Sequence, residues 1–470
     1  MAEICVVGAG PAGCVFATRM AQFGHDVHLI ERSRFPRPRL GESLTPGVLP
    51  LLRSAGFDLR VEAAFFSRVR EVSIAWGGPP RLREDPQEQG LIADRGLLDR
   101  TLLETARSFG VRVHQPAEIV GRAKRPAGWR LDIRSETGRA RLDVDFVAQA
   151  TGRGGAPAGR IRPRGPATIA VHAYWRGSGL SRPTVEAGDE VWFWGVPLPD
   201  GTCNLLVFVD PRRLRRLPGS GLSQRYLRLL SQSSLMKQFS DAQIVADARA
   251  TDATPYLGDE RVDATTIRVG DAALAIDPIS SSGVQKAVQS ALSGAVVANT
   301  LLRRPASAEA ARQFYDDHLT GAAERHALWS AEYYGLVAAK NDRPFWSDRA
   351  ARRPAAPPEA PAPPFDAHAM AATPVELSKD LKIAAAPCLD GDFVEYGDAV
   401  SGPGLESPVV YVAGRRLAPL LRRLGAGGTP LQIARSWSDE APIETGLAIA
   451  AWLIQHRLLV AKVPASCPRC

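Results

Sequence analysis

The first thirty residues alternate between apolar runs and a glycine-rich turn in a way that predicts one βαβ unit. Residues 4–7 form a continuous apolar run, which is typical of a buried strand. A helical pattern follows over residues 12–23, and a second strand pattern covers residues 26–31. This order predicts the start of a parallel sheet with helices packed against it.

A different pattern occupies the middle of the chain, where short apolar runs alternate with turns. Three such runs predict an inserted antiparallel sheet: residues 169–175, 191–194 and 204–209. The last run follows a Pro-Asp-Gly turn at 199–201, a sequence that favours chain reversal. Residues 266–269 and a long helix over 283–302 then return to the first pattern. We therefore expect the antiparallel sheet to interrupt the parallel one in sequence.

Prolines mark a boundary nearer the C-terminus. Six of the fourteen residues at 351–364 are proline, a composition that stiffens a chain but builds no core. The expected division is a main domain at 1–345 with its inserted sheet at about 60–95 and 165–255, a Pro-rich linker at 346–374, and a small C-terminal domain at 375–470.

The overall composition argues against a nucleic-acid partner. Hydrophobic residues make up 45% and charged residues 23% of the 470 residues, which is typical of folded globular proteins. The net charge of +8 is spread along the chain, and 51 of the 58 basic residues are arginine. No stretch interleaves clustered basic residues with aromatic side chains, so we expect no nucleic-acid partner.

The cysteines and the hydropathy pattern suggest a reducing compartment. Six cysteines are too few for a disulfide framework, and Cys5 and Cys14 fall in a predicted buried strand and helix. Cys467 and Cys470 have CxxC spacing but lack a second pair or a nearby histidine, so no metal site is expected. No apolar run is long enough to span a membrane, and the N-terminus does not resemble a signal peptide. We expect a cytoplasmic protein without a membrane partner.

The turn after the first strand carries a dinucleotide-binding pattern. Its candidate cofactor residues are Gly8, Gly10, Pro11, Ala12 and Gly13. Glycines at these positions permit the tight turn and let backbone N–H groups approach a pyrophosphate at the helix N-terminus. Glu31 ends the second strand, 18 residues beyond Gly13, where its carboxylate can accept hydrogen bonds from adenosine ribose hydroxyls. The alternative is a glycine-rich turn without a ligand.

A second motif follows about 260 positions later, where a Gly-Asp pair at 270–271 precedes an Asp-Pro pair at 277–278 and a serine run at 280–282. With these residues the sequence resembles the FAD-dependent monooxygenase and halogenase superfamily. In that superfamily the aspartate of the Gly-Asp pair holds the ribitol chain of FAD, and the following loop passes beside the isoalloxazine ring. The resemblance therefore implies four more cofactor residues: Asp271, Pro278, Gly283 and Val284.

Smaller motifs between the two halves agree with this resemblance. A loop at 39–43 follows the second strand, a helix begins at Arg95, and Ala-Thr-Gly at 150–152 closes a strand. The resemblance adds as cofactor candidates Arg32, Arg39, Ser43 and Arg95. It implies FAD as the cofactor, and an α/β fold with a doubly wound, Rossmann-like FAD-binding domain, an inserted antiparallel substrate sheet and a small C-terminal domain.

One motif resembles flavin-dependent halogenases in particular. The run at 192–197 is similar to their Trp-x-Trp-x-Ile-Pro signature, with valine in place of isoleucine. Halogenases also need a lysine near the short strand at 70–76, because its ammonium captures hypohalous acid, and this stretch contains only an arginine. Ser280 stands where tryptophan halogenases carry a glutamate. Halogenation therefore becomes the secondary interpretation.

Hydroxylation is the reaction that does not need that lysine. The resemblance implies that reduced FAD reacts with molecular oxygen to form a C4a-hydroperoxide, whose distal oxygen is transferred to an electron-rich ring. The protein would shield the site from water and orient the aromatic substrate. The electron donor, NAD(P)H or a separate reductase, stays open because no second nucleotide motif is evident.

The loop at 41–46, the missing lysine and the added C-terminal region resemble one branch of these monooxygenases. That branch oxygenates a tryptophan held in another polypeptide, during maturation of protein-derived quinone cofactors. The implied partner is a protein or peptide that carries a tryptophan. Two alternatives stay open: an enzyme, including a halogenase, that acts on a free indole or phenol, and a non-catalytic carrier with the same dinucleotide fold.

Candidate catalytic and substrate residues come from the loop and from the inserted sheet. Glu42, His172 and Tyr174 are the candidate acid–base residues, and each has a purely structural alternative. His172 and Tyr174 share one face of a predicted strand, opposite Val171 and Trp175. The candidate substrate contacts are Trp175, Trp192 and Trp194.

Overall fold

The computed structural model describes residues 1–58, 66–84, 90–155, 161–177, 179–235, 242–351, 373–405, 407–425 and 427–462. The chain divides into two compact units. The first comprises Met1–Ala308 and Tyr315–Arg353, and the second comprises Glu309–Phe314 and Pro354–Cys470.

A five-stranded parallel sheet forms the centre of the first unit. In spatial order its strands are Thr266–Arg268, Phe146–Gln149, Glu3–Val7, Asp26–Ile30 and Arg112–His114. Ile4, Cys5 and Val6 are fully buried, as expected for a strand covered on both faces. The helices Pro11–Gln22 and Gly283–Arg303 pack against each other beside this sheet. The sheet confirms the predicted doubly wound α/β fold.

A larger sheet is inserted into this unit, as the middle of the sequence predicts. In spatial order its strands are Gln243–Ile244, Ile169–Arg176, Thr202–Val209, Val191–Pro197, Thr184–Ala187, Glu71–Ala75 and Arg81–Glu84, and Arg249–Asp252 also pairs with Ile169–Arg176. All neighbours are antiparallel except Thr184–Ala187 and Glu71–Ala75, which pair in parallel.

The two faces of the inserted sheet have different partners because successive side chains alternate. One face builds an apolar core with the helices Pro211–Arg216 and Leu222–Leu230; its side chains include Val171, Trp175, Phe193, Leu205 and Val207. The opposite face carries His172, Tyr174, Trp192, Trp194 and Asn204. Only the second face is rich in polar and indole groups.

Short sheets and further helices complete the first unit. The short sheets are Ser43–Leu44 with Leu91–Ala93 and Phe66–Arg68; Gly138–Val144 with Trp129–Ser135 and Ala117–Lys124; and Ile161–Pro163 with Tyr256–Gly258 and Leu274–Ala275. The remaining helices outside the second unit's C-terminal region are Val48–Ser54, Arg95–Ser108, Ala308–Ala338 and Pro344–Ala350.

The predicted start of the linker at residue 346 is too early. Pro344–Ala350 is a helix, and the side chain of Trp346 is completely buried in it. Its indole N–H donates to the carbonyl of Asp189, 2.7 Å away. The proline pattern gave no warning, because the helix ends just before the proline-rich stretch, and residues 352–372 lie outside the described residues.

The second unit has its own apolar core, formed by Val400, Leu420, Trp437, Ile449 and Leu453 together with smaller neighbours. Its paired strands are Val375–Leu377 with Leu459–Ala461, Lys382–Asp390 with Phe393–Ser401, and Tyr411–Val412 with Arg415–Arg416. Its helices are Leu417–Arg422, Pro430–Ser436 and Ile443–Gln455. A capping box at Thr429 and Gln432 begins the middle helix.

Within the described residues, no helix is both long enough and apolar enough to cross a membrane. The same residues contain no group of three or more His, Cys, Asp or Glu side chains placed to bind a metal ion. None of the four described cysteines forms a disulfide, and all four are buried: Cys5, Cys14, Cys203 and Cys388. The Cys467 and Cys470 pair lies outside the described residues.

The burial of Trp346 gives a test of the domain boundary. We expect Trp346→Ala to lower the free energy of unfolding by about 3–5 kcal/mol, because it removes a fully buried indole and leaves a cavity. Trp329→Ala is the matched control, since that indole is 36% exposed; we expect a loss of at most about 1 kcal/mol. Chemical denaturation of both variants measures the difference, and equal losses would contradict this boundary.

Candidate functional site

The glycine turn after the first strand contains close backbone contacts that leave no room for a side chain. Gly8 has a φ of +103°, and a Cβ there would lie 2.6 Å from the carbonyl oxygen of Ala150. A Cβ on Gly13 would lie 1.8 Å from the carbonyl oxygen of Gly8. Gly10 caps the following helix, and a Cβ there would meet nothing within 4 Å. The turn therefore leaves open space directly above a helix N-terminus, where a pyrophosphate fits.

The second motif lies directly against this turn. A Cβ on Gly270 would lie 2.8 Å from the Cβ of Ala12, so the two chain segments touch. Asp271 follows, and its Oδ2 is 3.7 Å from Nε of Arg153. The strands that precede both motifs are separated in the sheet by Phe146–Gln149 alone. Both turns thus emerge at the carboxyl ends of neighbouring parallel strands, where open α/β sheets bind ligands.

Glu31 links the end of the second strand to the glycine turn. Its side chain is 3% exposed, and its Oε2 accepts a hydrogen bond from the backbone N–H of Ala9 at 2.9 Å. Its Oε1 accepts from Ser33 N at 2.8 Å and from Arg37 Nη1 at 3.0 Å. Arg32 is exposed, so Arg37 is the arginine that contacts Glu31. The sequence pattern missed Arg37, because spacing alone does not show which arginine turns inward.

Arg95 organises the loop that follows the second strand. Its guanidinium is buried, and Nη1 donates to the carbonyl oxygens of Leu40 at 2.7 Å and Gly41 at 3.3 Å. Its Nη2 pairs with Asp99 one helical turn away, at 2.9 Å. The loop then leads into Ser43, in the short strand Ser43–Leu44, while Arg39 is exposed. Arg95 thus acts on the loop through backbone carbonyls.

The loop predicted beside the isoalloxazine is held by a buried carboxylate. Asp277 Oδ1 accepts from Ile279 N at 3.0 Å and from the Tyr334 hydroxyl at 3.0 Å, and burial raises the pKa of Asp277. Pro278 begins a short 3₁₀ turn, and Ser281 adopts a left-handed φ of 54°. The long helix then begins at Gly283, where a Cβ would meet nothing within 4 Å, and Val284 is buried.

A cavity of about 780 Å³ adjoins this loop. The residues that line it include Ser43, Trp194, Ser280, Lys286, His326, Trp329 and Tyr333. They come from the 39–43 loop region, the inserted sheet, the loop at 277–282, the helix Gly283–Arg303 and the long helix Ala308–Ala338. The cavity therefore brings together the predicted cofactor and substrate elements of the first unit.

The stretch at 70–76 has no lysine, but a lysine from another element lines this cavity. Lys286 lines it and is only 8% exposed. Its ammonium pairs with Asp271 Oδ1 at 3.2 Å and donates to the carbonyl of Leu274. Burial lowers the pKa of Lys286, and the Asp271 carboxylate opposes that shift. The lysine sits one turn into the helix Gly283–Arg303, so attention to the strand at 70–76 could not reveal it.

A histidine that the sequence pattern missed also lines the cavity. His326 Nε2 is 2.8 Å from the hydroxyl of Ser280, and its Nδ1 is 3.3 Å from the hydroxyl of Ser330. Burial and the nearby Lys286 lower the pKa of His326 to about 4. The imidazole is therefore neutral near pH 7 and is a weaker base than an exposed histidine. The Ser280 hydroxyl is thus coupled to an imidazole.

Glu42, His172 and Tyr174 lie together. None of them is among the described residues that line the cavity. Glu42 Oε1 accepts from the Tyr174 hydroxyl at 2.9 Å and from Asn204 Nδ2 at 2.8 Å, and burial raises the pKa of Glu42. Burial and Arg249 lower the pKa of His172 to about 4. The contacts give Glu42 an anchoring role between loop and sheet, and acid–base action stays a prediction.

The three candidate tryptophans have three different environments. Trp194 lines the cavity. Trp192 is buried and stacks on Phe208, with ring centroids 3.6 Å apart. Trp175 lies on the opposite face of the sheet, where its indole N–H donates to the Tyr226 hydroxyl at 3.0 Å. Trp175 as a substrate contact is therefore wrong, because strand alternation points it into the helical core.

Comparison with known proteins agrees with this geometry. Residues 1–176 match the family model described as an FAD binding domain. A tryptophan 2-halogenase from Chondromyces crocatus is 29% identical over 370 residues, which cover 73% of this chain and 70% of that protein. This chain is a flavin-dependent oxidoreductase.

Two solved structures extend the likeness of this oxidoreductase to nearly its whole length. QhpG, a peptidyl tryptophan dihydroxylase essential for tryptophylquinone cofactor biogenesis, aligns with a TM-score of 0.77 and 28% identity. The alignment covers 97% of this chain and 99% of QhpG. CmlS, a flavin-dependent halogenase, aligns with a TM-score of 0.77 at 20% identity, over 98% and 96% of the two chains, which shows the shared fold.

The residues of this oxidoreductase fit FAD. The Gly8–Gly13 contacts leave an open cradle at one helix N-terminus, and Gly283 leaves a second one beside the cavity. Glu31 follows the second strand and accepts a hydrogen bond from the glycine turn, and Asp271 lies in the second motif, so both carboxylates border the space that FAD would fill. FAD was expected from the sequence, and the match over residues 1–176 supports it.

The close contacts of Gly13 predict that a larger residue at this position abolishes FAD binding. We expect Gly13→Val to purify without FAD, because a side chain there would collide with the Gly8 carbonyl and push the turn out of the phosphate path. The flavin absorbance per mole of protein measures the result. Gly221→Val is the matched control, since a Cβ at that exposed helix cap meets nothing within 4 Å. A yellow Gly13→Val protein would contradict the assigned turn.

The buried carboxyl of Glu42 predicts a pH-dependent stability. Because the pKa of Glu42 is raised in the folded chain, its contribution to stability is full below the unfolded pKa and declines as pH rises through the folded pKa. The Tm of the wild type should therefore fall relative to that of Glu42→Gln as pH rises from about 4.3. Paired thermal melts from acidic to neutral pH measure the trend. Glu84→Gln, on an exposed strand, is the control, and a wild-type advantage that grows with pH would contradict the prediction.

Proposed function

We propose that this oxidoreductase hydroxylates a tryptophan side chain in a partner polypeptide. The observation that carries the proposal concerns Lys286, the one lysine among the described residues that line the cavity. Its ammonium is buried and paired with Asp271. A paired, buried ammonium has little freedom to capture hypohalous acid, whereas oxygen transfer needs no lysine. The likeness to QhpG, a peptidyl tryptophan dihydroxylase, over 97% of this chain also supports the proposal.

FAD would be held by the glycine turn, by Glu31 and Asp271, and by the loop that precedes Gly283. When bound and reduced, it supplies the activation of molecular oxygen. The backbone N–H groups at the start of the helix Gly283–Arg303 would offer positive dipole charge to the bound cofactor. The chain's own contribution is therefore to hold the cofactor and to place its ring at the cavity.

The cavity walls position the aromatic substrate and exclude water. Trp194 and Trp329 provide indole surfaces on two sides, and Tyr333 continues the aromatic lining. Such surfaces hold an indole ring by offset or edge-to-face packing. These surfaces would also displace water from around the bound ring. Electrostatic contacts in the site would then be stronger.

His326 is the group best placed to handle the proton. When a ring carbon gains oxygen, its hydrogen must leave as a proton; the neutral imidazole of His326, whose pKa is lowered to about 4, would act as a weak base that passes this proton on to water rather than keeping it. The Ser280 hydroxyl, 2.8 Å from Nε2 of His326, fixes the ring orientation and can relay the proton. This role replaces the one first assigned to His172, which lies outside the lining.

Halogenation of a free indole is the second candidate function. Lys286 does line the cavity, and the curated relatives include a tryptophan 2-halogenase. Release of the ammonium from Asp271 would make it available to halide chemistry. The two candidates therefore differ in whether Lys286 stays paired.

Isotope labelling separates the two functions. We expect the holoenzyme, supplied with a chemical reductant and ¹⁸O₂, to add labelled oxygen to the tryptophan of a synthetic peptide, and to leave free indole unchanged in the presence of bromide. Mass spectrometry of both probes reads the outcome. Brominated indole together with an unmodified peptide would overturn the proposal in favour of halogenation.

Lys286→Met sharpens the same comparison. If hydroxylation is the reaction, the variant should still label the peptide in proportion to its FAD content, because the ammonium takes no part in oxygen transfer. Lys382→Met, on an exposed strand of the second unit, is the control. Loss of product from a Lys286→Met protein with full FAD content would favour a reactive lysine.

A further inference from the structure

We propose that an exposed stripe on the helix Ala308–Ala338, together with Arg70, binds an acidic segment of the polypeptide substrate beside its tryptophan. We define the docking stripe as Arg325, Trp329, Tyr333 and Leu336. This inference rests on the proposed function, because it names the chemistry of the polypeptide that the same cavity receives.

The docking stripe is one continuous helical face. Its members are spaced by four, four and three residues, so their side chains lie above one another along the helix. Trp329 is 36%, Tyr333 37% and Leu336 55% exposed, and the first two rings pack with centroids 4.3 Å apart. Large apolar side chains exposed side by side are typical of a binding surface.

The stripe continues the cavity out to the protein surface. Arg325, Trp329 and Tyr333 belong to the lining, whereas Leu336 lies beyond it. At a rise of 1.5 Å per residue, the stripe runs roughly 16 Å along the helix, about the length of five extended residues. A free indole would lie inside the cavity and leave the outer part of the stripe unused. An extended peptide with its tryptophan in the cavity would use all of it.

The charge around the cavity selects an acidic peptide. Every charged side chain in the described lining is cationic: Arg70, Arg83, Lys286 and Arg325. Lys286 is paired with Asp271. Arg70 and Arg325 are exposed, and neither has a carboxylate within ion-pair distance among the described residues. Glu324 and Glu332 lie on the same helix but outside the lining. Complementary charge would therefore steer a segment rich in Asp and Glu to this opening.

Binding of synthetic peptides tests the inference. The probes are three fluorescent eleven-residue peptides with one central tryptophan, flanked by Asp and Glu, by Asn and Gln, or by Lys and Arg. We expect the holoenzyme to bind the acidic peptide about tenfold more tightly than the neutral one at low salt, with the difference shrinking as salt is added. Fluorescence anisotropy measures the three affinities. Equal affinities would overturn the inference.

Variants on two separate elements locate the surface. Arg325→Glu and Arg70→Glu should each abolish the preference for the acidic peptide, and Trp329→Ala should weaken binding of all three peptides. Arg216→Glu, an exposed arginine on a distant helix, is the matched control and should keep the preference. FAD content and Tm verify that each variant is folded. A preference unchanged in both charge reversals would place the acidic segment elsewhere and overturn the inference.

Three further outcomes separate this inference from neighbouring ones. A single-stranded oligonucleotide that binds the stripe more tightly than the acidic peptide would overturn it in favour of a nucleic-acid partner. Selective binding of the acidic peptide without oxygen insertion would uphold the docking stripe while contradicting the proposed hydroxylation. Oxygen insertion into all three peptides, bound with equal affinity, would support the proposed hydroxylation while contradicting the docking stripe.

Discussion

The contact between two distant glycine-containing turns is the constraint on which the rest of this structure depends. Gly13 approaches the backbone of Gly8, and Gly270 approaches Ala12, at distances that leave no room for a Cβ. These contacts bring the helices Pro11–Gln22 and Gly283–Arg303 together, with open space beside the glycine where each helix begins. Because each N-terminus carries positive dipole charge, one extended anionic cofactor can use both. A side chain at Gly13 or Gly270 would push the two turns apart, and a single flavin could then no longer contact both.

The cofactor turns are tied to the inserted sheet by one buried carboxylate. Glu42 belongs to the loop that Arg95 fixes through backbone carbonyls, and it accepts hydrogen bonds from Tyr174 and Asn204 on the sheet. Breaking such a buried pair leaves the remaining polar groups without partners, which costs more than the bond itself stabilises. The sheet face that carries the tryptophans is therefore held at a fixed distance from the cofactor loops. Glu42 therefore has a structural role, holding the loop on the sheet, that requires no proton transfer.

The sequence could predict the turns because a glycine requirement is local, whereas contacts between distant side chains are not. The fingerprint at Gly8 to Gly13 and the FAD domain were expected from pattern and resemblance. Lys286, His326 and Arg37 were missed, because which face of a helix or loop meets the cavity depends on packing between distant elements. Trp175 shows the same limit: alternation placed it opposite His172 and Tyr174, but could not say which face meets the cavity. The linker start was wrong because a helix ends directly before the prolines.

The balance between oxygen transfer and halide chemistry depends on a competition at Asp271. This carboxylate holds the Lys286 ammonium at 3.2 Å, yet the resemblance also assigns it to the ribitol chain. A carboxylate has two oxygens and about four acceptor positions, so it can serve both partners at once. Removing the ammonium from that pair would leave a buried charge uncompensated, an arrangement that costs several kcal/mol. If Asp271 serves both partners, Lys286 stays paired when the proposed cofactor is bound, and the exposed cations of the described lining, Arg70 and Arg325, would be the ones that meet the substrate.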